Sequence, residues 1–259
     1  MAAAVPACTY LPEELWERIF KIITSLDHFT RCSEELSYSN YYLCPRSSIS
    51  LNGNNYTLKS LSIVSKQFLS ITNRLRFSLK IIDQTVPYLQ SLYIRFPNLT
   101  CLNFNISSKY GELDELLCQI CSFHLDLKTL ILSDPNIFTI YTFPAKGLLA
   151  LSKKMKNLTS LTCSRMNTRI IKNDLFFIAD CFPLLEELIL TDHGCPRSTR
   201  FIHDDDRLLA LPKLRKITLS RNVIGIGPQS INDLCKNCNL LQEVKVIEND
   251  EWPVQAMWL

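Results

Sequence analysis

Apolar residues recur along this chain at two different spacings, and the switch between them divides the sequence. In LPEELWERIF (11–20), Leu15, Ile19 and Phe20 share one helical face, opened by Pro12 and two acids, Glu13 and Glu14. A polar stretch follows from Asp27 to Thr57, rich in Ser, Asn and Tyr, with NGNN at 52–55 as a loop signal. Helical spacing then returns over 57–81, where Leu58, Leu61, Val64, Phe68 and Ile71 follow at three- and four-residue steps. The pattern predicts a small all-α module over 9–75: helix, polar insertion near 27–57, helix. So short a unit buries little surface by itself and calls for another surface to lean on.

Further along, a different pattern repeats. The frame L-x-x-L-x-L, with Ile, Val, Phe or Cys replacing some Leu, begins at Leu99, Leu127, Leu158, Leu185, Leu214 and Leu241. The steps are 28, 31, 27, 29 and 27 residues, the period and core pattern of a leucine-rich repeat. The last two apolar positions of each frame alternate, as a strand with one buried face requires. Between frames lie helical patterns at 111–123, 146–155, 173–182 and 228–238. An earlier strand is expected at RFSLKI (76–81), where Phe77 and Leu79 would match Leu102 and Phe104, followed by a helix over 86–96.

One strand and one helix cannot bury their apolar faces alone, but stacked copies form a continuous core. The expected fold is therefore α/β: the helical module, then a solenoid over 76–259 of about six or seven repeats. Parallel strands would line its concave face and helices its convex face. The outward strand positions expected to form a partner-binding surface are Asn103, Asn105, Thr129, Ile131, Ser160, Thr162, Glu187, Ile189, Lys216, Thr218, Glu243 and Lys245. Cys101, Ser133, Ser164, Thr191, Ser220 and Ile247 lie on the same face. The last residues, NDEWPVQAMWL, are too apolar for a polar terminal cap. They predict an irregular fold-back or, preferably, an array incomplete at its C-terminus.

Composition narrows the function classes. A net charge of +3 without a Lys/Arg run does not suggest nucleic-acid binding. No run approaches about 18 apolar residues, and no secretory signal is visible, so an intracellular soluble protein without a membrane span is expected. The sequons at Asn55, Asn98, Asn105 and Asn157 then carry no meaning.

Eleven cysteines include the C-x-x-C pairs Cys118/Cys121 and Cys235/Cys238, but each falls inside an apolar helical pattern. Buried packing is expected of them rather than zinc. His203 with Asp204, Asp205 and Asp206 reads as the acidic start of a helix rather than a metal site, and GIGP (225–228) as a turn before a helix. No G-x-S-x-G or P-loop pattern occurs, and neither an enzyme nor a cofactor is expected.

Taken together, LPEELWERIF and LKSLSIVSKQFLSITN followed by leucine-rich repeats resemble F-box/leucine-rich-repeat proteins, particularly the large plant set. Leu11 and Pro12 match the F-box opening, Leu15 and Ile19 its first helix, and Val64, Lys66 and Phe68 its later V-x-K-x-aromatic segment. The sequence departs from the family in the 52 residues from Pro12 to Val64, about twice the usual separation. An insertion of this kind adds little closure entropy.

The resemblance implies a substrate-recognition subunit of a Skp–cullin–F-box ubiquitin ligase, at work in the cytoplasm or nucleus. Leu11, Pro12, Leu15, Val64 and Lys66 would face a Skp-type adaptor, and through it a cullin. Ile19, Phe20 and Phe68 would face inward. The alternatives are a repeat scaffold without a ligase role and a truncated, non-functional copy.

Overall fold

The computed structural model describes residues 11–34, 53–106, 113–133, 143–166, 172–192, 211–220, 232 and 235–247. The chain divides into two compact units, residues 1–77 with 95–98, and residues 78–94 with 99–259.

The described part of the first unit is helical. Helix α1 spans Glu13–Glu34, α2 spans Gly53–Ser62 and α3 spans Lys66–Arg74. Two expectations are corrected here. The stretch from Asp27 is not loop at its ends: α1 continues to Glu34, and NGNN supplies the opening of α2. Gly and Asn are turn formers, but they are also favoured at helix N-termini. The helix expected across 57–81 is two helices, broken at Ile63, Val64 and Ser65. Ser65 is extended and its hydroxyl accepts from the Phe68 amide at 3.1 Å, an N-cap that starts α3 afresh.

Phe20, Leu58, Ile71 and Leu75 form the buried centre of the unit, with Trp16, Ile19, Leu61 and Phe68 packed against it. The aromatic rings meet closely. Trp16 and Phe68 lie 4.8 Å apart, and Phe20 meets Phe68 edge-on at 4.8 Å. Arg74 ties α3 back to α1 by pairing with Glu13 and Glu17.

The second unit is built on a seven-stranded sheet. Its strands are β1 (Ser78–Ile82), β2 (Cys101–Asn105), β3 (Thr129–Ser133), β4 (Ser160–Met166), β5 (Glu187–Asp192), β6 (Lys216–Ser220) and β7 (Glu243–Ile247). All neighbours pair in parallel and the order is the chain order, β1 to β7. Helices α4 (Leu89–Arg95), α5 (Leu113–Ile120), α6 (Ala145–Lys154) and α7 (Lys172–Cys181) lie between strands, and a 3-10 helix, Asp83–Tyr88, precedes α4. An order that never reverses puts right-handed crossovers all on one face of the sheet.

The register stacks equivalent frame positions. Leu102, Leu130, Leu161, Leu188 and Ile217 form one buried row, and Phe104, Leu132, Cys163, Leu190 and Leu219 the next. The first Leu of each frame, from Leu99 to Leu214, is also buried.

A backbone device repeats with the same period. The carbonyls of Thr100, Lys128, Thr159, Glu186 and Arg215 each accept from two successive amides of the next repeat, at 2.8–3.0 Å. The first strand is shifted from expectation. Leu79 and Ile81, not Phe77 and Leu79, pair with Leu102 and Phe104, and Phe77 is exposed.

The helices expected at 111–123, 146–155 and 173–182 correspond to α5, α6 and α7. Of the one at 228–238, only 232 and 235–238 are described. The acidic run at 203–206, the GIGP turn and the last residues, 248–259, lie outside the described residues, as do 35–52 of the insertion.

Candidate interaction surfaces

Each unit presents a surface of its own. In the helical unit, the face of α1 divides as its spacing dictates. Phe20 is 1 % exposed and Ile19 packs on the same core, whereas Leu11 and Leu15 are 39 % and 41 % exposed. Pro12 is exposed, and its carbonyl accepts from the Leu15 and Trp16 amides, closing the first turn. Between α2 and α3, Val64 is 63 % exposed, with Lys66 exposed just beyond it.

Phe68, two residues on, turns inward. Sequence reasoning missed Ile63, the most exposed large apolar residue of this turn at 83 %. It also missed Trp16, whose four-residue spacing from Phe20 was the available signal. Leaving several large apolar side chains in water forgoes roughly 1.5–3 kcal/mol for each one a partner would fully cover.

In the second unit, the strand positions that alternate with the buried rows line up across the sheet. One row runs Ser78, Cys101, Thr129, Ser160, Glu187, Lys216, Glu243; the next runs Lys80, Asn103, Ile131, Thr162, Ile189, Thr218, Lys245. A third begins Ile82, Asn105, Ser133, Ser164 and is interrupted where β4 shifts register between Cys163 and Met166. The register thus brings together the twelve residues expected to face a partner. Ser78, Lys80 and Ile82 of β1 join them.

The side chains of these rows interact with one another. Ser160 Oγ donates to Glu187 Oε2 at 2.9 Å, fixing that carboxylate across two strands. Glu243 lies 3.7 Å from Lys216 Nζ and 3.3 Å from Lys245 Nζ, so one carboxylate serves two ammonium groups. These exposed pairs orient charge more than they stabilise, at roughly 0–1 kcal/mol each.

Two positions differ from expectation. Thr218 is buried, short beside its register neighbours Ile189 and Lys245, so it offers no contact surface. Cys101 is buried as well, and burial pushes its thiol up, partly offset by a hydrogen bond with Ser78. Asn103 Oδ1 is buried without a hydrogen-bond partner among the described residues.

The described cysteines are free thiols. Cys238 is buried, while Cys118, Cys121 and Cys235 are only partly covered, a correction to the expectation that both C-x-x-C pairs are core. The reason is their place at helix ends, where Cys121 already stands in the turn after α5. Among the described residues no three His, Cys, Asp or Glu side chains converge as a metal site, and no helix is long and apolar enough to cross a membrane. No protein-family model matches the chain, and no curated protein matches it.

Proposed function

We propose that this protein is the substrate-recognition subunit of a Skp–cullin–F-box ubiquitin ligase, of the F-box/leucine-rich-repeat type. One observation carries the reading: Leu11, Leu15 and Val64 stand in solvent while Ile19, Phe20 and Phe68 close the helical core. A unit this small gains most from a partner that covers such residues, because apolar burial is its main driving force. Leu11, Pro12, Leu15, Val64 and Lys66 would contact the Skp-type adaptor, and through it a cullin.

The rows on the sheet would supply the substrate surface, with Ile131, Thr162 and Ile189 as its least charged stretch and Glu187, Lys216, Glu243 and Lys245 as its charged end. On this reading the repeats form a concave arc, and the protein acts by holding two partners at high effective concentration rather than by bond chemistry of its own. It would do so in the cytoplasm or nucleus, without a cofactor.

The test is capture of a purified Skp-type adaptor by the full chain. Pro12→Ala with Leu15→Asp should abolish capture, while Glu187→Lys, on the sheet, should leave it unchanged. A wild-type chain that fails to bind the adaptor would leave the sheet as a protein-binding scaffold without a ligase role.

A further inference from the structure

The segment 95–98 is fastened to the end of α3. Arg95 Nε donates to Asn73 Oδ1 at 3.1 Å, and Asn98 Nδ2 donates to the Arg74 carbonyl at 2.9 Å. These bonds hold Phe96, which is buried, and two guanidinium groups share its ring. The Arg76 Cζ lies 5.1 Å from the ring centroid and the Arg95 Cζ 5.3 Å. Each gains a cation–π attraction there.

The arrangement also has a cost. Arg76 is half-buried, and burial, followed by repulsion from Arg95, pulls its pKa below the ordinary guanidinium value. Two acids of this unit, Glu13 and Glu17, both pair with Arg74. Arg95 is the one charge that acts on Arg76 in its shift, and Arg95 Nε is spent on an amide oxygen.

We propose that the Arg76–Arg95 pair, stacked on Phe96, is a binding site for a phosphate monoester dianion. The chemistry favours phosphate over carboxylate. A guanidinium offers its N–H groups as a planar fork, and Arg95 spends only its Nε on Asn73, leaving both Nη groups to donate. A carboxylate satisfies one such fork. A phosphate carries close to two charges at neutral pH and three acceptor oxygens, so it can serve two forks and neutralise both. An anion there relieves the repulsion that the ring alone does not. The site is independent of the ligase reading, because it uses none of the residues assigned to the adaptor or the substrate.

The experiment uses the full chain at pH 7.5 and constant ionic strength, exchanging chloride for inorganic phosphate. Calorimetric titration and thermal unfolding should both show saturable binding at one site per chain. Arg95→Gln should weaken it by about tenfold or more, the loss expected for one charge-assisted fork. The double variant Arg76→Lys/Arg95→Lys keeps both charges but not the forks, and should also weaken binding. A purely structural staple on Phe96 would lower the unfolding temperature in these variants without changing phosphate affinity.

A peptide carrying phosphoserine serves as the second arm. Binding tighter than inorganic phosphate assigns the site to a phosphorylated protein segment; equal or weaker binding assigns it to a small free phosphate. No phosphate response beyond chloride in the wild type overturns the proposal. So does a folded Arg95→Gln chain that binds as tightly as wild type.

Discussion

Replacing Gly147 by alanine should destabilise the repeat array, although alanine is the better helix former. Gly147 lies near the start of α6, and a Cβ there would stand 2.6 Å from Leu117 Cβ and 3.0 Å from both the Asp114 carbonyl oxygen and Leu117 Cδ1. Carbon atoms in contact normally sit about 3.5–4.0 Å apart, so α5 and α6 would have to separate by roughly 1 Å. Leu117 cannot simply rotate away, since its Cβ is fixed to the backbone of α5 and the residue is fully buried.

Separation also strains a bond at the same place, where the Gly147 amide donates to Asp114 Oδ1 at 2.6 Å. That carboxylate replaces the side-chain cap that Pro144 does not provide. Overpacking costs about 1–3 kcal/mol and loss of a charge-assisted hydrogen bond about 1.5–3 kcal/mol, against a propensity gain of about 1 kcal/mol. The net expectation is a loss of about 2 kcal/mol, read from urea denaturation followed by circular dichroism. Asp114→Asn should cost less, and the two changes should couple because they act on one junction. A Gly147→Ala chain as stable as wild type would refute the close approach of α5 and α6.

Three further outcomes follow from other parts of the molecule. Ser65→Ala removes the cap of α3 and should cost about 1 kcal/mol, with faster hydrogen exchange at the Phe68 amide as its local signature. Glu17 is held below its ordinary carboxylate pKa of 4.5, first by its hydrogen bond with Lys21 and, against burial, by the charges of Lys21 and Arg74. A lowered folded-state pKa contributes stability above about pH 4.5 that is lost as pH falls through the lowered value, so Glu17→Gln should flatten acid unfolding there. Cys163 is fully buried and its thiol is pushed up to about 12, first by burial and then by Asp174, so iodoacetamide should spare it in the native chain and label it after unfolding, as read by mass spectrometry.

The strands were legible because their signal is local. A frame such as LTSLTC places its apolar residues at fixed offsets, and β2 to β7 begin where those frames predict. The first strand shows the limit of that signal. RFSLKII offers two alternating apolar pairs, and a period of two cannot choose between registers two residues apart; pairing with β2 decides it. The break at Ser65 was hidden for a related reason. Leu61, Val64 and Phe68 keep helical spacing straight through it, although Val64 points to solvent and Phe68 to the core.

On the sheet, the residues of each row were foreseeable but their linkage was not, because Ser160 meets Glu187 only after 27 intervening steps of chain bring the strands together. Burial of Thr218 and Cys101 depends on what stands beside them, which no spacing records. The same holds for Gly147 and for the two arginines on Phe96.

The carbonyls of Thr100, Lys128, Thr159, Glu186 and Arg215 each hold the next repeat through a pair of main-chain amides. Neutral, basic and acidic side chains all occupy these five equivalent places. A joint made this way is indifferent to sequence, so a stretch of gene cut at two such points and rejoined yields a protein whose junction still closes. The array can therefore grow or shrink by whole units over evolutionary time, while the segments between joints drift in length and the exposed rows change identity one residue at a time.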